Sequence, residues 1–196
     1  ILVGGVIYSN SGLKNQSMLF DPYLSQIYTK RYLTPFGEYL PIRSIATSVS
    51  PYAKQINDFI AGDQNQVFTI RSASFETLIC YELINDRFRD EISSNFLVIQ
   101  TNNATFGDTA QLEQQLNIAK VRALESGRNV AYVSTTGITS LLTSNGKINR
   151  SLDKFQQGSL IGEIPLVEGK TLAQRYGYLL EPLFLTTLLI VRLRRT

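Results

Sequence analysis

The pattern of apolar and polar residues predicts strands that alternate with helices. Residues 1–8 form an apolar run interrupted by Gly4 and Gly5, which is typical of a core strand that another part of the chain approaches closely. Shorter β-rich runs recur along the chain and are bounded by Gly, Pro, Asn or Asp. They predict further strands at 17–20, 26–32, 67–70, 74–79, 96–100, 130–135 and 138–143.

The clearest helix is predicted for residues 109–126, where apolar residues recur every three or four positions on one face. We expect Asp108 or Thr109 to cap its start and Gly127 to end it. Weaker helical patterns are predicted at 43–60, with a break before Pro51, and at 83–92. This alternation of strands and helices indicates an α/β fold.

The composition of the chain limits the kinds of catalytic and metal site that it can form. The chain of 196 residues is 43% hydrophobic, which is sufficient for one sizeable core, and it contains one cysteine and no histidine. These counts exclude an internal disulfide, His-based catalytic triads and zinc sites built from Cys or His. The net charge is only +3, and part of it is a C-terminal arginine cluster, so we expect no nucleic-acid partner.

The single cysteine, Cys80, is the candidate nucleophile. It follows a predicted strand and directly precedes Tyr81 and Glu82, so it would lie at a rigid edge facing a cleft. Without histidine, its base must be a carboxylate or a lysine. The alternative is a buried structural thiol, because free cysteines are usually buried.

Residues 32–41 contain two prolines and a glycine, which predicts an ordered loop. It is unusually apolar for a loop. Lys30 lies just before it, and Glu38 lies within it, where we expect the carboxylate to be partly buried and paired with a cation such as Lys30. The alternatives are a solvated lysine and a surface carboxylate.

The C-terminal residues 171–196 contain an apolar segment followed by Arg192, Arg194 and Arg195. Its length is close to the lower limit for a membrane span. Arginines after such a segment normally stay cytoplasmic, which would place the rest of the chain on the outer side. The alternative is an amphipathic helix docked on the core.

Three segments carry a family resemblance. They are Lys-Arg-Tyr-Leu-Thr-Pro-Phe-Gly-Glu-Tyr-Leu-Pro at 30–41, Ile-Cys-Tyr-Glu at 79–82 and Thr-Asn-Asn-Ala-Thr-Phe-Gly-Asp at 101–108. Together with residues 122–128 and 135–139, they resemble the carbon–nitrogen hydrolase (nitrilase) superfamily. Within it, they resemble the membrane branch formed by the apolipoprotein N-acyltransferases. The first segment is the most specific.

The resemblance implies a nitrilase-like four-layer α-β-β-α sandwich over residues 1–170, without its N-terminal part, and a membrane helix over 171–196. It also implies a Glu-Lys-Cys triad, in which Cys80 is the nucleophile and Lys30 the lysine, with Glu38 as a second acidic residue. We expect the Lys30 amine within hydrogen-bond reach of the Cys80 sulfur, or one water away. Substrate-binding or supporting positions would be Phe36, Tyr81, Glu82, Asn102 and Asn103.

One family feature has no match here. The triad glutamate lies well upstream of the lysine in the family, and the only acid before Lys30 in this chain is Asp21, in a predicted turn. The expectation is therefore that the glutamate, and the family's other transmembrane helices, belong to a part of the protein before residue 1.

The implied activity is transfer of an acyl group from a phospholipid, through a Cys80 thioester, to the N-terminal diacylglyceryl-cysteine of an apolipoprotein. It needs no metal or organic cofactor. The implied location is a bacterial inner membrane, with a multi-pass full-length protein and an extracytoplasmic catalytic domain. Two alternatives stay open: a soluble amidase or nitrilase, and a non-catalytic, membrane-anchored module.

Overall fold

In a computed structural model, residues 1–49 and 57–193 are described, and they form two β-sheets with helices. The first sheet is antiparallel and three-stranded. Its strands, in spatial order, are β1 (Leu2–Ser9), β2 (Gly12–Phe20) and β3 (Leu24–Thr29). Helix α1 (Arg43–Val49) follows it in the chain.

The second sheet has six strands in sequential order. They are β4 (Val67–Ile70), β5 (Ala73–Ile79), β6 (Phe96–Thr101), β7 (Asn129–Ser134), β8 (Thr139–Leu142) and β9 (Ile148–Leu152). Strands β5, β6 and β7 are parallel, and the outer pairs are antiparallel. The helical elements between and after them are a 3-10 helix (Cys80–Ile84), α2 (Asp86–Glu91), a second 3-10 helix (Ala104–Phe106), α3 (Gln111–Ser126) and α4 (Leu172–Leu193).

The two sheets pack against each other through polar as well as apolar side chains. Ser17 of β2 hydrogen-bonds to Gln100 of β6 at 2.5 Å and lies 3.4 Å from the Thr77 hydroxyl of β5. A Cβ on Gly4 would lie 3.3 Å from the Gln100 amide, so this glycine provides the close approach predicted for the first strand. The sheet–sheet contact therefore holds β2 against the strand that ends at Cys80.

The other face of the six-stranded sheet is covered by helices. Leu97, Ile99 and Tyr132 on this face are fully buried, and α3 packs on β7 and on the 3-10 helix that starts at Cys80. The carboxyl ends of β5 and β6 therefore lie at one edge of the six-stranded sheet, between these helices and the first sheet. This is the edge where sites collect in α/β proteins.

The described residues form three of the four predicted layers: helices, the six-stranded sheet and the three-stranded sheet. On the outer face of the small sheet, Val3 and Ile27 are 41% and 42% exposed. No helix among residues 1–49 and 57–193 packs extensively on that face. The fourth layer stays a prediction.

Some element boundaries were predicted wrongly. Strand β2 begins at Gly12, five residues earlier than expected, because Asn10 and Ser11 make a tight hairpin with β1. Helix α3 begins with Ala110 as N-cap and has no capping side chain, so neither Asp108 nor Thr109 performs that role. Gly127 does end the helix, with a left-handed φ of 64°. Part of the predicted helix at 43–60 lies outside the described residues.

Helix α4 begins as a docked helix. The Gln174 amide is buried and donates to the carbonyl oxygens of Arg89 and Ile92, both at 2.9 Å. Beyond this contact many of its apolar side chains are exposed, among them Leu183, Phe184 and Leu185. Across residues 1–49 and 57–193, the structure contains no helix whose length and apolar character suffice for a membrane crossing, so the expected span at 171–196 is not shown.

Candidate active site

Cys80 lies in a strained turn at the end of β5. Its φ is 51°, in the left-handed region that non-glycine residues rarely occupy, and it opens a 3-10 helix directly after the strand. The side chain is only partly buried. Because such strain persists only where the surrounding structure enforces it, the turn points to a constrained position for this thiol.

Lys30 and Glu38 form a buried ion pair, as the apolar loop had suggested. Lys30 directly follows strand β3 and is 1% exposed. Its amine donates to Glu38 Oε2 at 2.6 Å and to the Thr34 hydroxyl at 3.0 Å. Glu38 also accepts from the Asn15 amide and from the Thr34 backbone N–H, both at 2.8 Å. Together, these contacts fix the lysine amine and the Glu38 carboxylate relative to β2, through Asn15, and to the loop, through Thr34.

This pairing sets the ionisation of Glu38. Burial acts to raise the pKa of its carboxyl, but the hydrogen bonds from Lys30, Asn15 and Thr34 outweigh burial and leave the pKa below its usual value. Glu38 is therefore an anion at neutral pH.

Glu82 links the lysine segment to the cysteine turn. Its Oε1 accepts from the Tyr28 hydroxyl and the Arg31 N–H, both at 2.7 Å, and from the Tyr32 N–H at 3.1 Å. Its Oε2 accepts from the Ile79 N–H at 2.8 Å. One carboxylate thus holds the neighbours of Lys30 and the neighbour of Cys80 together.

Glu82 is fully buried, and burial raises the pKa of its carboxyl despite the four hydrogen bonds that act in the opposite direction. Burial also raises the pKa of its partner Tyr28, as does the adjacent Glu82 charge. An alternative role for Glu82, as a negative charge that favours the N-terminal end of the following helix, would account for none of these long-range contacts, which span about 50 residues of sequence.

The two asparagines after β6 have different surroundings. Asn102 is exposed and accepts from the Ala104 N–H and the Thr135 hydroxyl, which shapes the turn. Asn103 is fully buried, accepts from the Thr101 hydroxyl at 2.7 Å and donates to Ser134 Oγ at 3.2 Å. Asn103 therefore ties the loop after β6 to the end of β7.

The remaining predicted positions are on the surface of the site. Phe36 is 64% exposed and has a left-handed φ of 61° in the loop between Lys30 and Glu38. Tyr81 is partly exposed next to Cys80. Within the described part of the chain, no hydrogen bond joins Cys80 to Lys30 or Glu38, so the direct lysine–cysteine contact stays a prediction.

Sequence reasoning missed the side chain that contacts the sulfur. The Gln115 amide on α3 donates to Cys80 Sγ at 3.6 Å. Its helix had been predicted from its apolar face, which carries no information about which polar residue turns toward the β5 edge. The partners Asn15 and Thr34 of Glu38 were also missed, although Thr34 lies in the motif itself.

A family model described as carbon–nitrogen hydrolase matches residues 1–174. The chain belongs to the carbon–nitrogen hydrolase family. A member of that family, a protein from Xanthomonas campestris described as a CN-hydrolase superfamily protein, has a structure similar to this chain with a TM-score of 0.57 at 16% identity. The match covers 79% of this chain and 60% of the other. This likeness shows the nitrilase-type α/β fold.

Two further comparisons give a sequence relative and a structural neighbour of the chain. The apolipoprotein N-acyltransferase of Haemophilus ducreyi is 33% identical over 178 residues, which are 85% of this chain and 34% of that protein. A glutamine-dependent NAD+ synthetase from Acinetobacter baumannii gives a TM-score of 0.62 at 15% identity, over 85% of this chain and 34% of the other, and this shows the fold alone. The chain spans about a third of the length of the curated relatives it matches.

Proposed function

We propose that this chain is the catalytic part of an apolipoprotein N-acyltransferase. The observation that carries the proposal is the buried Lys30–Glu38 pair, held in an apolar loop and linked through Glu82 to the strained turn of Cys80. The similarity to apolipoprotein N-acyltransferases over most of the chain supports the same activity.

In the proposed first half-reaction, the Cys80 thiolate attacks the ester carbonyl carbon of a phospholipid. A C–S bond forms, the ester C–O bond breaks, and the lysophospholipid leaves with the proton that the base had removed from the thiol. The Lys30 ammonium stabilises the negative charge that develops on the carbonyl oxygen. Glu38 holds this ammonium in place through the 2.6 Å contact.

In the second half-reaction, the α-amine of the diacylglyceryl-cysteine of an apolipoprotein attacks the thioester. A C–N bond forms, the C–S bond breaks, and the amine proton passes to the base while Cys80 is restored. The proposed base is the triad glutamate of the family, and the only acidic residue before Lys30 in this sequence is Asp21. No step requires a metal or an organic cofactor.

The complete protein is proposed to lie in a bacterial inner membrane, with this domain, residues 1–170, on the extracytoplasmic side. The exposed apolar side chains of α4 support membrane contact by the C-terminal part, 171–196. Phe36 supports it near the site, because an exposed aromatic ring in the loop between Lys30 and Glu38 offers apolar surface to an acyl chain.

The test is to trap the thioester in the protein expressed from its complete gene. Incubation with a phospholipid that carries a labelled acyl chain should label the peptide 72–87, which contains Cys80, and hydroxylamine should release the label. Cys80→Ala should abolish both the label and transfer to a lipoprotein peptide. Lys30→Met should also lose the label. Its matched control is Lys154→Met, a change at a surface ion pair, which should keep the label.

The outcomes separate the three functions. Ammonia release from amides without acyl transfer would favour the hydrolase, because a carbon–nitrogen hydrolase would use the same Cys80 nucleophile. A protein that binds membranes but forms no covalent adduct would favour the non-catalytic module. Acyl transfer that persists in Cys80→Ala would overturn the proposal.

A further inference from the structure

We infer that Gln115 is a further residue of the active site, and that its side-chain amide donates a hydrogen bond that stabilises the thiolate of Cys80. Helix α3 carries Gln115 in its second turn, and its Nε2 lies 3.6 Å from Cys80 Sγ. The inference rests on the proposed role of Cys80 as nucleophile. It adds a neutral hydrogen-bond donor to a site whose proposed charges are carried by Lys30 and Glu38.

The hydrogen-bond partners of Gln115 favour the orientation in which the NH₂ end of its amide meets the sulfur. Its Oε1 accepts from the Tyr132 hydroxyl at 3.3 Å and lies 3.1 Å from the Thr101 hydroxyl, whose single proton is shared with Asn103 Oδ1. An amide has one acceptor end and one donor end, so occupation of Oε1 by hydroxyls leaves the NH₂ group for Cys80. A thiolate can only accept, and it matches that donor.

The hydroxyls that orient Gln115 are themselves held in place. Tyr132 is fully buried on β7, and burial together with the nearby Cys80 sulfur raises the pKa of its phenol. It therefore stays a neutral donor over the working pH range. Thr101 is buried at the end of β6 and bonded to Asn103. These contacts connect the loop predicted at 101–108 to Cys80. Among the described residues, Asn103 itself makes no hydrogen bond to Cys80.

The geometry also explains why a glutamine suits the position. A lysine or arginine would add charge beside two hydroxyls that need an acceptor, and a carboxylate would repel a thiolate. The glutamine amide combines an acceptor for the hydroxyls with a donor for the sulfur and carries no charge. The partly buried position strengthens such a hydrogen bond relative to one in water.

The experiment follows alkylation of Cys80 by iodoacetamide as a function of pH, without any lipid, on the peptide 72–87 of the full chain. Gln115→Met removes the donor while keeping side-chain length. Gln115→Glu keeps an acceptor for both hydroxyls but presents a carboxylate to the sulfur. Gln114→Met is the control, because Gln114 is the same residue type, one position earlier and exposed.

In Gln115→Met, we expect the midpoint of the pH–rate profile to move up by about one pH unit and the rate at pH 7 to fall about tenfold, as for loss of one hydrogen bond to a charged group. Gln115→Glu should move it further, and Gln114→Met should match the wild type. Equal rates on the high-pH plateau would show that access to the thiol is unchanged.

Profiles of Gln115→Met and Gln115→Glu that coincide with the wild type would overturn the inference. A loss of thermal stability without a shifted midpoint would do the same, because it is what a purely structural residue would give. Since no acyl donor is present, the result is independent of the proposed acyl transfer: failure of thioester trapping with a shifted midpoint would reject the proposed function and keep the role of Gln115.

Discussion

Lys30 and Glu38 meet at 2.6 Å in a setting where the amine is almost completely removed from solvent. The seven residues between them form a loop closed by hydrogen bonds of the Thr34 side chain and backbone to both members of the pair. Removing two charges from water is costly unless further polar groups satisfy them, as Asn15 and Thr34 do for Glu38 here. An arrangement with this cost is consistent with a function for the lysine rather than with stability alone.

Lys30→Met should strongly destabilise the chain. The substitution leaves Glu38 as a buried carboxylate with only neutral donors, and removal of one partner from a buried pair costs on the order of 3 kcal/mol or more. Urea-induced unfolding gives the free energy directly. Lys154→Met is the control, because Lys154 is about one-third exposed where it pairs with Asp108 and Glu113, and surface pairs contribute about 1 kcal/mol or less. Equal losses in the two variants would contradict the burial argument.

The Glu38 carboxylate should make the fold more stable at neutral than at acidic pH. Its pKa in the folded state lies below the unfolded value, so its contribution is complete above the unfolded pKa of about 4.3 and is lost as the pH falls through the folded pKa. In Glu38→Gln this part of the pH dependence should disappear. The measurement is the free energy of unfolding between about pH 3 and pH 7, with Gln at the exposed Glu163 as control. An unchanged slope in Glu38→Gln would be the contrary result.

Gly62→Ala should displace the segment that carries Lys30. A Cβ on Gly62 would lie 2.3 Å from the Thr29 carbonyl oxygen, and the Gly62 N–H donates to the Lys30 carbonyl at 2.9 Å. Backbone cannot yield as a flexible side chain can, so we expect a loss of about 1–3 kcal/mol in unfolding free energy. Gly5→Ala, where the nearest atom is Met18 Cε at 3.9 Å, should be tolerated by comparison. A stable Gly62→Ala protein with full thioester labelling would refute this.

The contacts that sequence could predict are those within one short segment. The Lys30–Glu38 pair could be predicted because Glu38 lies in a loop with two prolines and a glycine, and Lys30 lies just before that loop. The strand that leads to Cys80 could be predicted because its apolar run is continuous. Gln115 was not, because its contact depends on how α3 rotates against β7, and 35 positions separate it from Cys80. The missing cap of α3 follows the same logic: Asp108 instead pairs with Lys154, from a loop 46 residues away.

Glu82 should give a pH dependence opposite in sign to that of Glu38. Burial holds its pKa above the unfolded value, so the folded state binds more protons than the unfolded one between the two pKa values, and stability falls as the pH rises through that window. Glu82→Gln removes this titration. The difference in unfolding free energy between wild type and Glu82→Gln should therefore decrease from about pH 4 upwards, whereas the same difference for Glu38→Gln should increase as the pH rises towards about 4.3 and stay constant above it.

The control for Glu82 is Glu91→Gln, because Glu91 pairs with Arg31 from an exposed position. Urea titrations of the three variants and the wild type at several pH values would measure both slopes in one experiment. Parallel slopes for Glu82→Gln and Glu38→Gln would contradict the assignment, since hydrogen bonds would then dominate burial at both carboxylates. Opposite slopes would mean that the cost of burying the ionised Glu82 carboxyl outweighs its four hydrogen bonds, whereas hydrogen bonds outweigh burial at Glu38.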